Sequence, residues 1–281
     1  MPESVSFTDH IAESADGTAV AYRQAGHGPA LVVVHGLLRS AQDYGRLATR
    51  LAEHFSVAVM DRRGRGASGP QGPDYSLKTE AHDVAAVVQR TGASLLFGHS
   101  YGGAVALQAA AALPQLTALA LFEPAVLVDR TIETALLDRL AAALADEDDA
   151  QALRTVFRLV EDGPLLVRVL LRIPFLARQI FASPAGRHLH DLLPTTPAEL
   201  GQIQTTADTQ LGKDLNVKTL LIRGSRGPQW ADHTITTLFN TNASAETATL
   251  NRVGHSAPCD DEAPDRVADL LIHFFRDTAH R

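Results

Sequence analysis

A chain of 281 residues, 45% hydrophobic and 20% charged, is long enough for one large core and ordinary in composition for a globular protein. A formal net charge of −7 supplies no general attraction to nucleic acid or anionic membrane. The single cysteine, Cys259, excludes an intrachain disulfide, so the core must hold the fold, as suits the reducing cytoplasm expected here.

The first residues are acidic and polar with no apolar h-region, so no signal peptide is expected. No apolar run approaches the length of a membrane span. Val20 to Arg23 reads as a short strand and Ala30 to His35 as an apolar strand buried on both faces. Tyr44, Leu47, Leu51 and Phe55 give Asp43 to His54 a helical spacing. Ser56 to Met60 is the next strand. Asp61 to Gly69 is Gly-rich and basic, but it lacks the G-K-[ST] of a P-loop and has no dinucleotide spacing. A turn held by buried arginine hydrogen bonds is the expectation there. Ser76 to Thr91 is helical, with Ala81, Val84, Ala85, Val87 and Val88 on its apolar side. Ser94 to Phe97 and Thr117 to Phe122 are strands on either side of the helical run Ala104 to Ala111.

Between about Val126 and Thr206 no strand is legible. This stretch is rich in Leu, Ala, Arg and Pro, and Pro164, Pro174, Pro184, Pro194 and Pro197 divide it into short helices. Within it, Leu165 to Phe181 is apolar with Arg168, Arg172 and Arg178 spaced through it. Core packing is the default expectation for that segment, followed by a wall for an apolar substrate, with a membrane-surface helix as the third reading. His188, His190 and Asp191 are taken as surface, because neighbours two apart on a helix do not converge on a metal. Val217 to Ile222 and Ala245 to Leu250 complete the strands, and Ala263 to Phe275 forms a closing amphipathic helix. Strands alternating with helices imply an α/β fold, a mostly parallel sheet with helices on both faces. The expected organisation is a core of residues 1–125 and 206–281 carrying a helical cap at 126–205.

The chemistry centres on Gly98-His99-Ser100-Tyr101-Gly102-Gly103. A strand, a G-x-S-x-G turn and a helix form the context in which this motif is a nucleophile elbow. Glycines flank the serine because the turn brings its two sides into contact. A serine hydroxyl needs a base, and imidazole titrates near neutrality. His255, in Val253-Gly254-His255-Ser256-Ala257-Pro258, follows the last strand and so belongs to the same carboxyl edge of the sheet as Ser100.

These elements resemble the α/β-hydrolase superfamily over nearly the whole chain. The matching segments are His35-Gly36, Asp61-Arg62-Arg63-Gly64-Arg65-Gly66-Ala67-Ser68, the elbow, and Gly254-His255. The resemblance implies an eight-stranded sheet and a triad ordered Ser, acid, His. Most of the superfamily carries the acid shortly after the Gly that ends the seventh strand. Here that segment reads Arg223-Gly224-Ser225-Arg226-Gly227-Pro228-Gln229, with no carboxylate. Some branches, among them haloalkane dehalogenases and certain fungal-toxin lactonases, place the acid after the sixth strand, where this chain has Glu123. Asp232 is the competing acid. The oxyanion donors implied are the backbone N–H groups of Tyr101 and Leu37, with Leu38 in place of Leu37 if the loop is shifted. Leu38, Tyr101 and Trp230 are the implied pocket residues.

The expected activity is hydrolysis of a carboxylic ester or lactone, with a small, apolar substrate and neither metal nor organic cofactor. The alternatives are a C–C bond hydrolase or perhydrolase of the same fold, and a ligand receptor that retains the triad. Monomer and homodimer both stay open.

Overall fold

The computed structural model describes residues 5–128, 131–161, 163, 165–206, 211–212 and 215–279. Pro164, expected to divide the middle segment, lies outside them. The strands are β1 (Thr8–Glu13), β2 (Ala19–Ala25), β3 (Ala30–Val34), β4 (Ser56–Met60), β5 (Leu95–His99), β6 (Ala118–Phe122), β7 (Lys218–Gly224) and β8 (Ala245–Leu250). They form one eight-stranded sheet in the order β1-β2-β4-β3-β5-β6-β7-β8. Only β2 pairs antiparallel, with β1 and with β4; every other neighbouring pair is parallel.

The helices in chain order are α1 (Gly45–Leu51), α2 (Leu77–Thr91) and α3 (Tyr101–Ala110). Between β6 and β7 come α4 (Thr134–Ala145), α5 (Asp149–Leu159), α6 (Leu165–Leu170), α7 (Pro174–Ala182), α8 (Pro184–Leu192) and α9 (Thr196–Thr205). α10 (Gln229–Thr241) and α11 (Pro264–Ala279) complete the chain.

The central strands read as unbroken apolar runs because both their faces are covered. In β3, Leu31 and Val33 pack in one core with α1 and α11, while Val32 and Val34 pack in the other with α2 and α3. β6 divides the same way, with Ala118, Ala120 and Phe122 on one side and Leu119 and Leu121 on the other. Burial of each Leu, Val or Phe contributes roughly 1.5–3 kcal/mol, so the sheet centre is where the fold is strongest.

Three elements differ from the sequence expectation, one of them α10, which fills a stretch where no helix is expected. β1 has no apolar alternation, since only Ala12 of its six residues is buried; an edge strand facing water leaves no period-2 signal. The helix expected over 43–54 is a 3₁₀ turn at Ala41–Tyr44 followed by the short α1. Ser40 and Asp43 cap the turn reciprocally, which starts the helical segment earlier and in the tighter form.

The basic loop after β4 is an internal brace. Arg62 is fully buried and bonds Glu80 of α2 (2.7 and 3.0 Å), the carbonyl of Gly36 (3.1 Å), and Glu199 of α9. Arg65 also reaches Glu199, at 2.7 Å, and Arg63 grips Asp83 through two 2.7 Å bonds. Glu199 therefore ties the helices inserted between β6 and β7 to the loop beneath them.

Candidate active site

Ser100 occupies the sharp turn between β5 and α3 with φ 54° and ψ −121°, a conformation that L-residues rarely adopt. The turn closes because Gly98 and Gly102 have no side chains. A Cβ on Gly98 would lie 2.6 Å from the Gly102 carbonyl oxygen, and one on Gly102 would overlap the carbonyls of His35 and Val34. The Ser100 N–H donates to the Phe122 carbonyl at 2.9 Å, continuing the β5–β6 ladder one residue beyond the strands. The hydroxyl thus stands at the carboxyl edge of the sheet, beside the positive end of α3.

His255 meets it there, with Nε2 2.9 Å from Ser100 Oγ. Its other ring nitrogen, Nδ1, lies 2.6 Å from Glu123 Oε2. An ionised carboxylate only accepts, so Nδ1 carries the hydrogen and Nε2 is free to accept from the serine. Glu123 is fully buried and also has a positive φ, 43°. Its N–H donates to the Ile222 carbonyl (2.9 Å), and its Oε1 accepts from the N–H of Gly224 (2.8 Å). Both carboxylate oxygens are thereby occupied and fixed in direction.

The competing carboxylate is elsewhere. Asp232 sits on α10, its side chain 58% exposed, in an ion pair with Arg223. At the position where a carboxylate is expected after β7 there is Gly227, and a Cβ on it would overlap Glu123 Oε1 and approach its Cδ to 2.8 Å.

Tyr101 is the first residue of α3, so its N–H has no intrahelical acceptor. Leu37 follows β3 through His35-Gly36, and Leu37, Ser100 and Tyr101 all line one cavity. Leu38 lines it too, with φ 51°. The Tyr101 ring is buried, with its hydroxyl 2.9 Å from that of Tyr75 and Arg62 over its face, so the part of this residue suited to chemistry is its backbone. Trp230 lines the cavity, stands edge-on to His255 (ring centroids 5.4 Å apart) and donates from Nε1 to the Val160 carbonyl at 3.0 Å.

The cavity encloses about 950 Å³ between the sheet edge and α5, α6, α8 and α9. Its walls are apolar, with Val156, Phe157, Val167, Leu200 and Ile203 among them. Its rim is polar: Arg39, Asp43, His188, Asp260, Asp261 and Glu262. Arg39 is committed to Ser256 Oγ (3.0 Å) and Asp261 (3.2 Å). His188 of α8 is not idle surface, as the sequence suggested, but reaches Asp43 at 3.0 Å and Gln42 at 2.9 Å. His190 points elsewhere, to Asp149 at 2.7 Å.

Sequence reasoning passed over His99, although it lies inside the motif. Its Nε2–H donates to the His255 carbonyl (2.8 Å) and its Nδ1 accepts from the Tyr44 hydroxyl (2.6 Å). Complete burial, with the neighbouring His255 as a second cause, holds its pKa well below the ordinary 6.5. It is a neutral strut that fixes the backbone of His255. Cys259 is no second nucleophile, since burial pushes its thiol up to about 12. The Leu165–Phe181 segment meets the expectation of core packing only in part: Leu171 and Ala177 are buried in the core, with Ile180 and Phe181 packed against it. Val167 faces the cavity, whereas Leu165, Leu166, Val169, Ile173 and Phe175 are exposed.

Residues 31–270 match the model of the alpha/beta hydrolase family. Over 96 residues the chain is 41% identical to the pimeloyl-[acyl-carrier protein] methyl ester esterase of Xanthomonas campestris pv. campestris, covering 34% of this chain and 37% of that protein. Over 119 residues it is 40% identical to the N-formylmaleamate deformylase of Pseudomonas putida, covering 40% of this chain and 44% of that one. The chain thus matches less than half the length of these curated relatives. The solved structure of an alpha/beta hydrolase from Sphaerobacter thermophilus DSM 20745 superposes with a TM-score of 0.79 at 31% identity, covering 95% of this chain and all of the other. An esterase from Rhodococcus sp. ECU1013 shares the fold, at a TM-score of 0.71 and 22% identity over 95% of this chain and 98% of that one. With its strand order, its glycine-flanked serine and a family match from β3 into α11, this chain belongs to the alpha/beta hydrolase family.

Proposed function

We propose that the protein is a serine hydrolase that cleaves a carboxylic ester or lactone through an acyl-enzyme on Ser100. Ser100 Oγ attacks the carbonyl carbon while His255 Nε2 takes its proton. Glu123 keeps the imidazole in the Nδ1–H tautomer and balances the imidazolium charge. The N–H groups of Tyr101 and Leu37 receive the oxyanion. The tetrahedral intermediate collapses, and His255 returns the proton to the departing alkoxide. In a lactone that alcohol stays tethered to the acyl group. Water then attacks the acyl-enzyme with His255 as base, releasing the carboxylic acid and restoring Ser100.

The observation that carries this reading is the unbroken path from Ser100 Oγ through His255 to Glu123, at 2.9 and 2.6 Å, opening into an apolar cavity. The α4–α9 insertion serves as the cap that encloses the substrate. The apolar walls favour a neutral acyl group, and the rim carboxylates disfavour an anionic one. Maleamate appears in the name of one relative, and this rim suits such a carboxylate-bearing substrate poorly. The lone buried thiol suits the cytoplasm.

The test is a panel of p-nitrophenyl esters and lactones run with wild type, Ser100→Ala, Glu123→Gln and Asp232→Asn. Loss of turnover in the first two variants alone supports the proposed triad. Collapse of Asp232→Asn with an active Glu123→Gln would sink the acid assignment. Wild type that turns over none of the panel would return the C–C hydrolase, perhydrolase and receptor alternatives.

A further inference from the structure

The α6–α7 segment, part of which packs on the core, presents a coherent outer face. On α6, Leu165, Leu166, Arg168 and Val169 are exposed. At 100° per residue these positions share one arc, and Val167, which lines the cavity, falls on the opposite side. On α7 the exposed positions are Pro174, Phe175, Arg178, Gln179 and Ala182, again one helical face, while Ala177 is buried. Arg172 and Ile173 are exposed between the two helices.

Leu165, Leu166 and Phe175 stay 75%, 68% and 67% exposed, which is unusual for large apolar side chains gathered within a few residues. Their interleaved charges are all of one sign. Arg168, Arg172 and Arg178 accompany them, and the sequence from 163 to 190 contains no Asp or Glu. Among the described residues, none of these three arginines pairs with a carboxylate. This local charge opposes the overall −7. At physiological salt, charges beyond roughly 8 Å are largely screened, so a surface in contact with α6–α7 meets chiefly the three arginines that the two helices and their connection carry.

Exposed large apolar side chains beside unpaired arginines are the chemistry of a helix lying in the headgroup region of an anionic bilayer. We propose that the outer face of α6–α7 docks on an anionic phospholipid surface, Leu165, Leu166 and Phe175 entering the acyl boundary while Arg168, Arg172 and Arg178 meet the phosphates. Because Val167 on the same helix lines the cavity, docking brings the cavity wall to the membrane, the source of apolar substrates. That last consequence rests on the hydrolase reading; the docking itself does not.

The experiment is flotation of the full chain with vesicles of phosphatidylcholine alone and of phosphatidylcholine with an equal part of phosphatidylglycerol. Wild type is expected to bind the mixed vesicles at least about tenfold more tightly than the neutral ones, and to release at high salt. Leu166→Ser/Phe175→Ser and Arg168→Glu/Arg172→Glu should each lose most of that binding while melting like wild type. Ser100→Ala should float like wild type, which separates failure of the docking from failure of the hydrolase chemistry. Absence of binding to the mixed vesicles, or binding that the surface variants leave intact, would overturn the proposal. So would a wild-type dimer in sedimentation velocity that both surface variants convert to monomer, since a second copy would then cover the face.

Discussion

Gly227 and Glu123 fit together as void and filler: a Cβ on Gly227 would occupy the space of the Glu123 carboxylate. The carboxylate that bonds His255 Nδ1 comes from the end of β6, and the loop after β7 has only a glycine where it passes. Gly227→Ala should therefore displace the carboxylate without unfolding the sheet. A displacement of about 1 Å in such a group lowers kcat on the order of 100-fold. Kinetics on a neutral ester, together with a melting curve near that of wild type, would check this; an unaffected kcat would show that Glu123 is not held by that contact.

Glu123→Gln keeps the shape and removes the charge. The proposed mechanism expects kcat to fall by roughly 10³–10⁴-fold with KM little changed, because the wrong imidazole tautomer is favoured and the imidazolium is unbalanced. Asp232→Asn breaks only an exposed pair with Arg223, and should leave kcat within about twofold of wild type and stability within about 0.5 kcal/mol.

His35 and His99 predict acid sensitivity. Burial holds both pKa values well below the ordinary 6.5, so each stays neutral in the folded chain and takes up a proton on unfolding once the pH falls below that value. The unfolded state then binds more protons, and stability drops as pH falls. The slope is about 1.4 kcal/mol per pH unit for each histidine. Urea unfolding from pH 7 to pH 5 should show this loss, and His99→Gln should remove about half of the two-histidine contribution. Taking the difference between variant and wild type isolates the histidine from Asp61 and Asp83, whose pKa values burial raises and whose contribution has the opposite sign. An unchanged slope in His99→Gln would contradict a neutral buried His99.

Glu199 is the buried junction between α9 and the basic loop. Glu199→Gln leaves the Arg65 guanidinium without its carboxylate and Arg62 with Glu80 alone. Breaking a buried pair on one side costs roughly 3–5 kcal/mol, and the lower end is expected here because Arg62 keeps a partner. The urea midpoint should fall at constant m-value; a midpoint within experimental error of wild type would mean that the brace is not energetic.

The rim should discriminate by charge. Arg39 and Asp261 neutralise each other, leaving Asp43, Asp260 and Glu262 to set the local potential. An ester with a free carboxylate on its acyl chain should show kcat/KM roughly tenfold below its neutral analogue at low salt, with the gap narrowing as salt rises. Equal kcat/KM for the two would remove the rim from the account of specificity.

The sheet and the elbow were legible because short-range rules govern them. Apolar runs such as Leu119 to Leu121 mark strands covered on both sides, and glycines on either side of Ser100 answer to a turn that no side chain fits. Glu123 was legible for a different reason: the loop after β7 lacked a carboxylate, and the β6 terminus had one. The role of Gly227 could not be read, because it is defined by a side chain more than a hundred positions away. His99 gave no signal beyond its place in the motif, since its partners, Tyr44 and the His255 carbonyl, come together only through the sheet order. The outer faces of α6 and α7 could not be told from their inner ones, because an apolar segment with regular arginines reads alike whether it faces a core or stands clear of one, and here it does both.

The backbone bonds Ser100 N–H to Phe122 and Glu123 N–H to Ile222 extend the sheet's own ladder into the site. Serine and carboxylate thus hang on the sheet, whereas α5, α6 and α8 of the cavity wall lie outside it. Partial loosening by heat or denaturant would dissolve the shape of the entrance before the reactive geometry. On the proposed hydrolase reading, selectivity would fail before turnover.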